Sequence, residues 1–236
     1  MNNLNTKTQT TIGVTYDEGL RTHFRNVYNV MCLGLVVTGL VAFGIANWPA
    51  AVALLFGTPL KWVVMFAPLA FIFFGFTHKA VMTKTAGQLK TLFVLFSAVF
   101  GMSLSAIFLV YTGADITRAF FITAATFAAM SVWGYTTKAD LSKLGSFLIM
   151  GVIGLLIAIV VNIFLQSSML EFVISAAGVL IYTLMTAFDT QNIKESYNHA
   201  HGDDANSKMA VMGALSLYIN FIMLFQFILQ FVGNRE

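Results

Sequence analysis

Seven long runs of apolar residues, separated by short polar segments, organise the chain from residue 27 onward. They cover residues 27–46, 60–76, 91–111, 116–135, 144–165, 170–188 and 209–232. A helix needs about 20 apolar residues to cross the hydrocarbon core of a bilayer, so each run predicts a spanning helix. The second run is the shortest and its ends are the least defined. Connections this short leave no room for a separate soluble domain. The expected architecture is an all-α integral membrane protein, with a polar cytoplasmic leader over residues 1–26 and a seven-helix transmembrane domain over residues 27–236. The early leader, residues 1–15, is rich in Asn and Thr and is expected to be disordered. The leader is too long and too mixed in charge for the basic start of a cleavable signal, so the first run is read as a retained anchor.

Composition agrees with a chain dissolved in lipid. Hydrophobic residues make up 58% and charged residues 10%, with mean hydropathy +0.81; soluble domains carry roughly 25% charge. Lys and Arg then set the orientation. With the amino terminus cytoplasmic, ten of them face inward: Lys7, Arg21, Arg25, Lys79, Lys84, Lys90, Lys138, Lys143, Lys194 and Lys208. Only Lys61, Arg118 and Arg235 face outward. The positive-inside rule therefore predicts the amino terminus inside and the carboxyl terminus outside. The same partition accounts for the net charge of +3 through loops that face anionic lipid. There is no basic stripe with interleaved aromatics, so nucleic acid is not an expected partner. The single Cys32 cannot form an intrachain disulfide.

Helical spacing marks the faces of several runs. Ser97, Gly101 and Ser105 recur four apart, the small-residue pattern that lets helices approach closely in lipid. Gly151 and Gly154 offer a similar face in the fifth run. The sixth run ends on a carboxylate, Asp189, and ionisable groups within a membrane are by default functional. Viewed down the helix, Tyr182 and Gly178 lie within about 20° of its direction, Ser175 within about 40° and Thr186 within about 60°. A stripe of small and polar side chains thus leads to Asp189, while Val179, Leu184 and Phe188 face the other way. The seventh run carries Asn220, Gln226 and Gln230. Asn220 points about 120° away from Gln226, so this helix has polar groups on more than one face and is expected to be enclosed by the others. Alternatively, the two glutamines simply lie near the outer interface.

Other groupings change the picture less. Asp189 lies close to Lys194 and Glu195, so it is either an ion or gating site or a tether at a helix end. His199 and His201, followed by Asp203 and Asp204, carry donors for a metal or for pH sensing, but a Gly-containing polar run is ordinarily a solvated turn. His78 or Lys79 is either a counter-charge for Asp189 or a cation snorkelling to the interface. Enzymatic chemistry is not expected. None of His23, His78, His199 and His201 falls within an apolar run, no H-E-x-x-H occurs, and only Asp189 could serve in an intramembrane acid pair.

Four segments carry a family resemblance: Tyr16-Asp17-Glu18-Gly19-Leu20-Arg21 with Val27-Tyr28-Asn29; Gly134-Tyr135-Thr136-Thr137-Lys138-Ala139-Asp140-Leu141; Ala187-Phe188-Asp189-Thr190-Gln191-Asn192-Ile193; and Ala214-Leu215-Ser216-Leu217-Tyr218-Ile219-Asn220-Phe221. Together they resemble the bacterial branch of the Bax inhibitor-1 family. The resemblance implies a multi-pass protein of the bacterial inner membrane, with six helices around a central seventh, and a pH-gated leak of ions such as Ca²⁺. It implies no cofactor. It also implies a latch formed by two aspartates on the sixth and seventh helices. Asp189 matches the first, but Asn220 stands at the second position. Two close carboxylates share a proton and titrate together, whereas an amide donates to a carboxylate without one. The expectation is a shifted pH response and weaker hold on Ca²⁺, which favours several charged oxygen ligands. The alternative function is a non-transporting regulator that binds a partner membrane protein or protease.

Overall fold

The computed structural model describes residues 2–198 and 202–233, and among these the regular structure is entirely helical. Ten helices follow one another: α1 (Asn2–Ala46), α2 (Pro49–Phe56), α3 (Leu60–Gly75), α4 (His78–Thr83), α5 (Ala86–Leu104), α6 (Ile107–Val110), α7 (Gly113–Thr136), α8 (Ser142–Leu165), α9 (Ser168–Ser196) and α10 (Gly202–Val232). Six helical stretches are long and apolar enough to cross a membrane. They comprise the Glu18–Ala46 part of α1, α5 with α6, and α7 to α10. The chain is a multi-pass membrane protein.

The second apolar run is where the expectation of seven straight spans changes. It becomes α3, and residues 49–56, which precede the run, form a separate helix, α2, bent by 82° from α3. The sequence explains the bend: Gly57, Thr58 and Pro59 separate the two helices, and Pro59 stands at the N-cap of α3. Proline cannot continue the hydrogen-bond ladder of a preceding helix and is well tolerated at a helix start. Leader and first span also differ from expectation. The backbone is helical from Asn2, and α1 passes residue 26 without a break. Once a long apolar helix is nucleated, each added residue gains a hydrogen bond, so a polar extension can propagate from it.

Local signals set the other ends. Thr85 and Gln88 form a reciprocal capping box at α5, with bonds of 3.3 and 3.0 Å. Thr112 accepts from the Asp115 N–H at 3.2 Å to start α7, and Ser167 accepts from the Leu170 N–H at 3.3 Å to start α9. Between α8 and α9, Gln166 adopts φ 50°, and Asn162 Oδ1 accepts from the Ser167 N–H at 3.1 Å to hold this tight reversal.

Helix α10 packs against α9, α1, α7 and α5. Its most apolar window is 72% buried inside the protein, against 11–39% for the other five spans. Tyr218, Leu217 and Leu224 on α10 and Phe93 and Phe96 on α5 are among the largest fully buried side chains. Helix α8 is the reverse case. It packs mainly on α9, and Phe164 near its end is 81% exposed, as suits a lipid-facing surface.

Small residues act where helices touch. A Cβ added to Gly101 would meet the Thr38 carbonyl oxygen at 2.7 Å, so α5 and α1 are in backbone contact there. A Cβ added to Gly134 would stand 2.3 Å from the Ala187 carbonyl oxygen, which places α7 equally close to α9. Gly151 meets Ile181. Gly154 has open space beside it instead of a helix, because α8 touches the bundle along one narrow face only.

Candidate functional site

Asp189 lies inside α9, about two turns before its last residue, Ser196. It is 9% exposed, and its Oδ2 accepts a hydrogen bond from Asn220 Nδ2 at 2.8 Å. Asn220 is 2% exposed. The same Oδ2 also accepts from the Ser216 hydroxyl. Ser216 and Asn220 are one helical turn apart on α10, so both donors converge on one carboxylate oxygen. Among the described residues no ion pair involves Asp189. His78 and Lys79 therefore do not neutralise it. It is held to α10 from about two turns before the end of α9.

The supporting stripe is buried as its spacing predicts, with Ser175 at 1%, Tyr182 at 6% and Thr186 at 0% exposure. It does not join into one polar chain. Thr186 donates back to the Tyr182 carbonyl at 2.8 Å, and Tyr182 stacks on Phe227 with ring centroids 5.8 Å apart. Ser175 donates to the Glu171 carbonyl at 2.9 Å and to Gln230 Oε1 at 3.1 Å. Ser175 lies about 21 Å along the helix from Asp189. The stripe thus has two separate polar ends.

A second polar layer adjoins the carboxylate. The Thr190 hydroxyl lies 3.1 Å from Ser131 Oγ and donates to the Thr186 carbonyl at 2.7 Å. Ser131 in turn bonds the Tyr28 hydroxyl. Tyr28, Ser131 and Thr190 tie α1, α7 and α9 together. One residue further on, the Gln191 carboxamide accepts from the Leu141 N–H at 2.8 Å and donates to the Ala139 carbonyl at 2.8 Å. Gln191 therefore clips α9 to the α7–α8 turn. In that turn Asp140 is capped by Ser142, whose side-chain and backbone hydrogen bonds hold the carboxyl below the usual carboxylate range. Lys194 Nζ donates to the Tyr135 carbonyl at 2.7 Å, in the last turn of α7 where a cation is favoured.

Helix α10 is also held on another side. The Tyr218 hydroxyl lies 2.6 Å from Thr38 Oγ1 of α1, and Thr38 donates to the Ser97 carbonyl of α5 at 2.9 Å. The Tyr218 ring meets Phe93, Phe96 and Phe100 at centroid distances of 5.3, 5.8 and 6.1 Å. Polar contacts from neighbouring positions of α10 thus reach α9 and α1 directly and α5 through Thr38.

Sequence reasoning gave the latch role to Asp189 and Asn220; Ser216, Thr190, Tyr28 and Gln191 entered only as parts of the family-like segments, with no contact assigned, and Ser131 did not enter. Ser216 was within reach, since it precedes Asn220 by four residues and shares its face. The others carry no local signal, because their partners lie on different helices. Gln226 is half-buried and Gln230 exposed. His199 and His201 lie outside the described residues, and Asp203 and Asp204 open α10. Among the described residues no group of three or more His, Cys, Asp or Glu is gathered for a metal.

Chemically, the arrangement gives one carboxylate oxygen two donors from the neighbouring helix. An ionised Asp189 receives two charge-assisted hydrogen bonds, which are roughly twice as strong as neutral ones. A protonated Asp189 receives weaker bonds through the same atoms, so a proton changes how firmly α9 holds α10.

Known proteins resemble the chain along almost its full length. The family described as inhibitor of apoptosis-promoting Bax1 matches residues 20–236. An uncharacterised protein of Caulobacter vibrioides is 46% identical over 94% of this chain and 93% of its own length. One from Rickettsia prowazekii is 42% identical over 98% and 97%. The inner membrane protein YbhL of Escherichia coli is 40% identical over 92% and 94%.

Proposed function

Because the chain belongs to the Bax inhibitor-1 family, as a bacterial member, we propose that it is a pH-modulated ion leak of the bacterial inner membrane, latched by Asp189 and Asn220. The observation that carries this reading is the 2.8 Å bond between them, deep in the seam between α9 and α10. With Asp189 ionised, the charge-assisted contact holds the seam shut. Protonation weakens it, and a packed interface with two arrangements shifts toward the looser one. The leak is therefore largest at low pH.

Ca²⁺ is a candidate permeant ion rather than a tightly held one. It takes six to eight oxygen ligands and gains affinity from their charge, while this site offers one carboxylate and one amide. Protons are the other species the latch responds to. No catalytic residue is part of the mechanism.

Seven crossings with α10 at the centre suit the same reading. Asn26, Ala86, Lys90, Ser207 and Ala210 line one cavity of about 300 Å³, so the first part of the spanning portion of α1 and the starts of α5 and α10 share one end of the bundle. Ser103 near the end of α5 bonds the carbonyl of Val64 near the start of α3. The bent α2–α3 pair then carries the chain back across, which supports termini on opposite sides of the membrane, and the Lys and Arg distribution favours the amino terminus inside. Reporter fusions at the two ends test this: activity on the same side would reject an odd number of crossings.

The functional test is ion flux in proteoliposomes across pH 5–8. The native chain should leak more as pH falls, and Asp189→Asn should leak at a raised, pH-independent level. Retention of the native profile by Asp189→Asn would remove the latch. Flux no greater than that of empty liposomes, at every pH, would favour the non-transporting regulator.

A further inference from the structure

The seam between α9 and α10 carries polar side chains at both ends and an aromatic contact between them. At one end Asn162, Gln166, Glu171 and Gln230 border a cavity of about 480 Å³, and Gln230 bonds Ser175. At the other end lies the Asp189, Ser216 and Asn220 cluster. Between the two, Phe227 seats its ring directly on Gly178. A Cβ on Gly178 would come within 2.5 Å of the ring carbons. The same ring is stacked on Tyr182 at 5.8 Å, with planes 25° apart. Phe227 and Tyr182 are each 6% exposed.

Resting on the leak pathway proposed above, we infer that Phe227, seated on Gly178 and stacked on Tyr182, is the constriction that an ion must pass between the outer cavity and the Asp189 cluster. The sequence supplies the pieces in register. Gly178 is the position on the polar stripe where a side chain is missing, and the ring fills that gap. A narrow apolar contact between a polar cavity on one side and a buried polar cluster on the other excludes water and therefore hydrated ions. The latch and the barrier then occupy different levels of one seam. Loosening Asp189 from Asn220 frees α10 to shift, and a shift of α10 lifts Phe227 from Gly178. Glycine is required there because any larger residue would hold the ring away permanently.

Cysteine accessibility tests this without relying on ion flux. Cys32→Ser removes the only native thiol, and single cysteines are then placed as Gln230→Cys and Thr186→Cys, outside and inside the ring. A membrane-impermeant cationic methanethiosulfonate is applied to the vesicle face that labels Gln230→Cys. With Phe227 present, Thr186→Cys should stay unlabelled from that face. With Phe227→Ala it should label about tenfold faster or more, and flux should rise at every pH without a change in the shape of the profile. Phe227→Leu is the milder variant if Phe227→Ala does not fold. Labelling of Thr186→Cys from that face with Phe227 intact overturns the constriction, as does no labelling in either folded variant. If the reagent passes in Phe227→Ala but no ion flux occurs with any variant, the constriction stands and the leak reading falls.

Discussion

Replacing Asn220 with Ala, alone and combined with Asp189→Asn, isolates the contact on which the latch depends. Asn220 donates to Asp189 Oδ2 at 2.8 Å, with both side chains buried. A hydrogen bond to a charged group contributes about 1.5–3 kcal/mol. Neutral interhelical bonds in a membrane protein average roughly 0.6 kcal/mol in double-mutant cycles. The Ser216 hydroxyl still donates to the same oxygen after the substitution, so the loss should fall at the lower end, about 1.5 kcal/mol. The cycle is measured by reversible unfolding in mixed micelles at several pH values. Above the titration of Asp189 the coupling should be about 1.5 kcal/mol, and as the carboxylate protonates it should fall toward the neutral value. The sign follows from the acceptor: an ionised oxygen binds the amide N–H more strongly than a protonated one, so this coupling energy, as distinct from the overall stability, falls as pH falls. A coupling near 0.6 kcal/mol that does not change with pH would refute the reasoning, because Asp189 would then be an ordinary neutral hydrogen-bond partner throughout.

The other predictions test neighbouring parts of the same assembly. Asn220→Asp places two carboxylates in contact that must share a proton, so its flux-against-pH profile should differ in shape from the native one; identical profiles would defeat the latch chemistry. Gly134→Ala drives a Cβ to within 2.3 Å of the Ala187 carbonyl oxygen, and should destabilise the α7–α9 contact by about 1–3 kcal/mol in the same unfolding assay. Gln191→Ala leaves the Leu141 N–H and Ala139 carbonyl without their side-chain partner, so hydrogen exchange in the turn over residues 137–141 should quicken; unchanged protection would show that the clip is dispensable. Tyr218→Phe keeps the aromatic packing and removes one hydrogen bond at 2.6 Å to Thr38. It should be destabilising by about 0.5–1.5 kcal/mol, whereas Tyr218→Ala should lose about 3–5 kcal/mol.

Much of this protein is determined by local arithmetic. Length and apolarity decide which segments can enter a bilayer, since a helix is almost the only way to satisfy the backbone there. Hence the runs at residues 91–111, 116–135, 144–165, 170–188 and 209–232 each became a long helix. The 3.6-residue turn alone puts Ser175, Gly178, Tyr182 and Asp189 on one face of α9. It likewise puts Ser216 with Asn220. What the period does not contain is which face meets which neighbour. A bond from Ser131 to Thr190, a carboxamide clip from Gln191, or a phenyl ring filling the space above Gly178 depends on the relative rotation and depth of two helices far apart in the chain. Burial of Asp189 is of this kind: its nearness in sequence to Lys194 and Glu195 suggested an edge, yet α9 continues to Ser196 and α10 covers it. The 82° bend between α2 and α3 is intermediate. Gly57 and Pro59 announce a break, but the angle is set by how α3 packs on α5. Sequence alone settles which segments are helical and which faces they carry. Tertiary structure settles the pairing of those faces, because in lipid the choice rests on close packing and on polar partners that only the assembled bundle brings together.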